Sequence, residues 1–281
     1  DSAKSMLFLR NYAMERFLER LSASKYRNCF ILKGGMLISA MVGIDSRATM
    51  DIDTTLRNYP LNCESAEQIV RQIADVEIDD KISFVIKKTE EIMEDSEYQG
   101  VRLSLDAYLD KTRIPLKIDI STGDVITPCE ISFSYQLMFE NRTIPLLAYP
   151  PETVLAEKLE TILSRGEANT RLRDFYDVYI LQREDFVVTP DALCHALLAT
   201  CRKRGHEDLL HTYASILDRV RQSDTMRTQW MKYQSDFDYA AGITWDTVLD
   251  TVETLCMKTL DDHAFGDELP QEESQFEMHL L

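Results

Sequence analysis

The sequence predicts an α+β fold: a mixed sheet with flanking helices over residues 1–149, followed by a C-terminal helical bundle. Three observations carry this. Residues 50–56 alternate strictly, with Asp51, Asp53 and Thr55 on one side and Ile52, Thr54 and Leu56 on the other, the period-2 pattern of a strand. Pro150 and Pro151 then interrupt the chain, and proline is accepted at a helix start but not inside one. Beyond them glycine is nearly absent and apolar residues recur every three to four positions.

Taken in order, residues 6–22 carry Leu7, Met14, Phe17, Leu18 and Leu21 at helical spacing. Phe30, Ile31 and Leu32 form a short apolar strand closed by Gly34 and Gly35, and residues 36–42 continue as a helix. Residues 66–76 are a helix candidate. Strands are expected at 82–88, 101–109 and 114–120, with shorter ones at 131–133 and 144–148. Helices are expected at 152–164, 171–182, 191–204, 207–222, 225–236 and 244–258, forming a second domain over 150–260 that completes the site. Residues 261–281 are acidic and contain Gly266 and Pro270, so they are expected to form a solvated, flexible tail.

Composition narrows the function. The chain has 281 residues, 44% apolar and 28% charged, as in ordinary globular proteins. It has no run of roughly 18 to 20 apolar residues that would span a membrane, and no basic-then-apolar leader. It begins at Asp1, which suggests a trimmed start. Cys29, Cys63, Cys129, Cys194, Cys201 and Cys256 are scattered without metal-binding spacing, so reduced thiols in a cytoplasmic protein are expected. The net charge of −17 opposes broad nonspecific binding to nucleic acid. A local basic surface stays open, since residues 1–60 hold nine Lys and Arg against six Asp and Glu. All five histidines lie beyond residue 190, so chemistry seated in the first half is expected to use none of them.

Asp51 and Asp53 are the strongest local signal. Residues two apart on a strand project to one face, so both carboxylates can converge on a cation. A hard cation such as Mg²⁺ takes oxygen ligands and keeps positions for water and phosphates. Alone, the pair fits a solvated strand edge equally well. Asp119 follows on another expected strand, with Lys117, on the side where Asp51 and Asp53 lie; it is either a third ligand or an ordinary strand-face acid. Three carboxylates on adjacent strands would repel one another without a cation between them. Gly34 and Gly35 stand between a strand and a helix, where backbone N–H groups can cradle a phosphate, although such a turn is more often only a turn. Lys158 lies on the apolar stripe of Val154, Leu155, Leu159 and Ile162, and either snorkels or meets a carboxylate or phosphate. Asp174 and Asp177 share a face of the next helix, with surface pairing to Arg171 and Arg173 as the plain alternative.

These segments together resemble a known family. FILKGGMLI over 30–38, RATMDID over 47–53, AEKL over 156–159 and RDFYD over 173–177 are similar, in order and spacing, to the AbiEii/AbiGii toxins of the DNA polymerase β-like nucleotidyltransferase superfamily. The resemblance spans about Tyr12 to Leu181. It implies a polymerase β-like sheet and a toxin of type IV toxin–antitoxin or abortive-infection systems. That toxin would transfer a nucleotide from a nucleoside triphosphate, with Mg²⁺, onto RNA such as the tRNA 3′ end and so block translation. Its antitoxin would repress the operon rather than bind the toxin tightly. On this resemblance Gly34 and Gly35 match the phosphate turn and Asp51 and Asp53 the metal pair. Arg47 matches a basic residue near the triphosphate, Lys158 the essential lysine, and Asp174 the later aspartate, with Asp177 beside it. No serine follows the first glycine, so that hydroxyl cannot assist. The alternatives are transfer to a protein hydroxyl or small molecule, and a non-catalytic nucleotide sensor.

Overall fold

The computed structural model describes residues 2–94, 98–183 and 188–261. Most of the acidic tail, residues 262–281, therefore lies outside the described residues. The chain opens with α1 (Ser2–Ala23), then β1 (Phe30–Lys33), α2 (Gly34–Val42), β2 (Asp51–Leu56) and α3 (Cys63–Ala74). Next come β3 (Ile82–Glu94), β4 (Tyr98–Leu109), β5 (Thr112–Ser121), β6 (Ile131–Gln136) and β7 (Thr143–Ala148). The remainder is helical: α4 (Pro151–Arg165), α5 (Leu172–Arg183), α6 (Pro190–Arg204), α7 (Leu209–Gln222), α8 (Asp224–Asp236) and α9 (Trp245–Leu260).

The strands form one mixed sheet in the order β3-β4-β5-β2-β1-β7-β6. β2 is central. It runs antiparallel to β1 and parallel to β5, with Asp53 opposite Lys33 on one side and Asp119 on the other. Alternation then separates the two faces. Ile52 lies in register with Ile118 and Thr54 with Ile120, and all four are buried. α1 packs against β5, β7 and α3, and α3 against β3 and β4, closing the apolar side. Each fully buried Ile or Leu there stabilises the fold by about 1.5–3 kcal/mol. β3 and β4 run longer than the alternation around their apolar centres predicts, because they pair with each other beyond the end of β5.

Two joints place the site. Gly34 starts α2 directly from the end of β1 with φ +62°, a conformation that glycine adopts without a Cβ clash. At the other joint the Tyr149 N–H donates to the Leu32 carbonyl at 3.0 Å, tying the end of β7 to β1 before Pro151 begins α4. Thus α4 leaves the sheet beside α2, and α5 packs on both. No described helix is long and apolar enough to cross a membrane.

Candidate active site

A row of charges runs across the sheet where β2 meets its neighbours. Register places Lys33 of β1, Asp53 of β2, Asp119 of β5 and Arg102 of β4 side by side. One pleat further along, Asp51 stands beside Lys117. Arg102 grips Asp119 with two bonds, Nε to Oδ1 at 2.8 Å and Nη2 to Oδ2 at 2.6 Å. Three carboxylates here were expected to repel one another without a cation, and Asp119 meets one within the protein itself. β4 supplies this cation, Arg102, which sequence reasoning missed. Its place between Val101 and Leu103 on the polar side of an alternating strand is the signal that could have found it.

Asp51 and Asp53 are half-buried and line a cleft of about 1250 Å³. Asp119 is buried and does not line it. Burial, and then the charge of Asp119, push the Asp51 carboxyl above the usual carboxylate range, against the pull of Lys117, Arg102 and Arg173. An acid held above its ordinary pKa is one whose negative charge is incompletely balanced. The Gly35 N–H donates to Asp53 Oδ2 at 3.3 Å, so the start of α2 orients this carboxylate. A Cβ on Gly34 would strike the Asp53 carboxyl, and one on Gly35 would strike Thr49 Oγ1. In this structure the two glycines serve the close approach of β2, with the Gly35 N–H engaged by Asp53.

The helical half supplies the facing wall. Lys158 of α4 reaches Asp174 at 2.5 Å and Asp177 at 3.1 Å, both on α5. Burial works against its ammonium, but the two carboxylates outweigh that and hold its pKa above the ordinary lysine value. Of the two readings of Lys158, its ammonium meets carboxylates. Asp177 is fully buried and is also forked by Arg47, at 2.6 and 3.2 Å. Burial would raise the Asp177 pKa, yet Arg47 and Lys158 keep it below the ordinary range. Arg171 reaches Asp174 at 2.8 Å. Arg47, Lys158, Arg171, Asp174 and Asp177 thus form one ion cluster, far more buried than surface pairing on α5 would give. Arg47 also donates to the Ala48 carbonyl, and the Tyr176 hydroxyl to the Ser46 carbonyl at 2.5 Å, fastening the segment before β2 onto α5.

Gly34, Gly35, Arg47, Asp51, Asp53, Lys158 and Asp174 all line the one cleft, while Asp177 supports it from beneath. Sequence reasoning missed a second network in the same wall. Asp124 accepts bonds from Lys33 Nζ at 3.0 Å, Thr55 Oγ1 at 2.5 Å and Ser121 Oγ at 2.5 Å. Burial opposes its charge, but Lys33 and the two hydroxyls hold its pKa below the ordinary range.

His206 lines the cleft, with Nδ1 2.6 Å from Glu160 Oε1, although it lies beyond residue 190. One further expectation needs correction: the local basic surface is not built mainly from residues 1–60. Of the nine Lys and Arg lining the cleft only Lys33 and Arg47 come from there, while the buried Arg16 and Arg20 are spent in pairs with Glu140 and Asp80. The rest, Lys158, Arg165, Arg171, Arg173, Lys203, Arg204 and Lys232, come from the helical half.

A family model described as the nucleotidyl transferase AbiEii toxin of type IV toxin–antitoxin systems matches residues 16–251. The chain belongs to the AbiEii nucleotidyltransferase toxin family. A crystal structure of a candidate nucleotidyltransferase from H. pylori matches at TM-score 0.50 and 14% identity, covering 92% of this chain and 97% of that one. JHP933 from Helicobacter pylori follows at TM-score 0.48 and 14% identity, covering 91% and 94%. An antigenic nucleotidyltransferase-like protein from Paracoccidioides brasiliensis reaches 0.41 and 13%, covering 71% and 90%. No curated protein matches the chain. The family is one of enzymes, and its shared fold is the mixed sheet with helices described above.

The donor set suits a divalent cation. Asp51 and Asp53 offer only oxygen, and the incomplete balance of charge at Asp51 is what such an ion would relieve. Among the described residues no group of three or more His, Cys, Asp or Glu forms a closed metal cage. A hard cation bound through one or two carboxylates keeps its remaining positions for water and substrate phosphates.

Proposed function

We propose that this AbiEii-family chain transfers a nucleotide from a nucleoside triphosphate to an RNA acceptor, the tRNA 3′ end, in an Mg²⁺-dependent reaction in the cytoplasm. The toxin so formed stops translation, and its antitoxin acts by repressing the operon. The observation that carries the reading is the cleft, whose floor bears Asp51 and Asp53 and whose helical wall bears cations. Nine Lys and Arg line it against seven Asp and Glu, whereas the whole chain carries 31 against 48. A basic channel in an acidic protein is what a polyanionic acceptor needs, because phosphate contacts supply most of such binding.

In this reading residues 1–149 hold the reacting groups and residues 150–260 close the site. Mg²⁺ held by Asp51 and Asp53 would neutralise triphosphate charge and acidify the acceptor hydroxyl. Asp119, beside Asp53 in register, would complete the ligand set or act as the base that takes the acceptor hydroxyl's proton. The acceptor oxygen forms its bond to the α-phosphorus as the bond to pyrophosphate breaks in line. Gly34 and Gly35 let the start of α2 approach the phosphates. Lys158, kept protonated by Asp174 and Asp177, faces the charge that develops on the leaving group. Arg47 adds its charge from behind.

The test incubates wild type and Asp53→Asn with total tRNA, Mg²⁺ and each labelled nucleoside triphosphate in turn. Label on RNA with wild type alone supports the reading and names the nucleotide. Label on protein or on a small molecule instead would replace the acceptor, and nucleotide binding without pyrophosphate release would make the chain a sensor.

A further inference from the structure

We infer that Arg173 and Phe237 form a stacking platform for the nucleobase of the incoming nucleotide, on the helical wall of the cleft. The inference rests on the nucleotidyl-transfer reading and adds to it a recognition site for the base. The Arg173 guanidinium lies over the Phe237 ring, 5.4 Å from its centroid, and both residues line the cleft. Among the described residues Arg173 makes no ion pair, unlike its neighbour Arg171, which is held by Asp174. Asp51 and Asp53 line the same cleft, so the platform and the strand carboxylates share one space.

The platform is rigid. Phe237 is stacked with Tyr239 at 5.3 Å and 26° and packs on Tyr233 at 4.7 Å, so the ring cannot turn away. A planar cation supported by an aromatic ring is the surface on which bases stack, whatever their sequence. A bare phosphate site is disfavoured, since Asp236 lines the same wall and would repel an anion. The same carboxylate suits the N–H edge of a base. Gln229 of α8 also lines the cleft, and its Oε1 is buried without a hydrogen-bond partner, an acceptor the protein does not use. Arg173 of α5 thus supplies a flat cation, while α8 and the residue that ends it supply the supporting ring of Phe237 and polar groups for a base edge.

The experiment is titration calorimetry of the full chain with each nucleoside triphosphate and, separately, with inorganic tripolyphosphate, which has no base, both in Mg²⁺. Wild type, Arg173→Ala, Phe237→Ala and Phe237→Tyr are compared, with melting curves to establish folding. Nucleotide affinity is expected to fall roughly tenfold or more in the two alanine variants and to be kept in Phe237→Tyr. Tripolyphosphate affinity should change less than about twofold in the Phe237 variants, since the ring touches no phosphate. Equal loss of nucleotide and tripolyphosphate, or nucleotide binding unchanged in both alanine variants, overturns the platform. A loss seen only when RNA is titrated moves it to the acceptor and overturns the assignment to the incoming nucleotide. If wild type binds no triphosphate at all, the nucleotidyl-transfer reading itself fails, an outcome distinct from the others.

Discussion

Two sets of carboxylates face each other across the cleft, and the protein treats them in opposite ways. On α5, Asp174 and Asp177 are buried, and Lys158, Arg47 and Arg171 lie within 3.1 Å of them. On β2, Asp51 and Asp53 are half-buried, and Asp51 is held above its ordinary pKa by burial and by Asp119. The helical set is internally compensated; on the strand, Asp51 keeps a carboxyl raised by burial and by Asp119. The difference teaches what each is for. A compensated cluster fixes geometry, here the position of Lys158. In the proposed reading, Asp51 and Asp53, open to the cleft, take the cation that arrives with the substrate.

Asp53→Asn removes a carboxylate from the open set and should have the largest effect. Transfer is expected to fall by at least about 10³-fold in the labelled-nucleotide assay, with the melting temperature little changed. Asp177→Ala attacks the compensated set, leaving Arg47 and Lys158 buried without their shared partner. A loss of about 3–5 kcal/mol in urea denaturation is expected. If Asp177→Ala proved as stable as wild type while Asp53→Asn unfolded, the contrast between the two sets would be reversed.

Gly34→Ala sharpens the comparison at the joint between them. The new methyl meets both a positive φ and the Asp53 carboxyl, so a destabilisation of about 1–3 kcal/mol should accompany a fall in activity. The smallest expected effect concerns Asp51 itself. An acid whose pKa is raised by folding favours the folded state while protonated. That contribution is complete below the unfolded pKa and is lost as pH rises through the folded value. Without metal, Asp51→Asn should therefore raise the melting temperature at neutral pH by ~1–3 °C. That gain should shrink as pH falls through the folded pKa of Asp51, again without metal.

Most of the architecture was legible because each element is locally consistent. The alternation at 50–56, the proline pair before α4 and the apolar spacing of the later helices each specify one structure. The residues facing the cleft were legible where two chemical demands coincide, as at Asp51 and Asp53. Lys158 stood out because a charge on an apolar stripe requires a partner. What the sequence concealed was pairing at long range. Arg102 meets Asp119 only through the β4–β5 register, and Asp124 gathers Lys33, Thr55 and Ser121 from three separate segments. His206 and Arg173 reach the cleft because the helical bundle folds back on the sheet, which no local pattern records. Burial likewise turned Asp177 from a surface acid into the hub of a cluster.

The most direct measurement is Mn²⁺ binding, read by the loss of the free-ion paramagnetic resonance signal, for wild type, Asp53→Asn and Asp174→Asn. The account predicts that Asp53→Asn loses the ion and that Asp174→Asn keeps it, because the proposed reading gives the cation to the strand carboxylates and leaves Asp174 to Lys158 and Arg171. Mn²⁺ bound as tightly by Asp53→Asn as by wild type, or lost in Asp174→Asn alone, would contradict it.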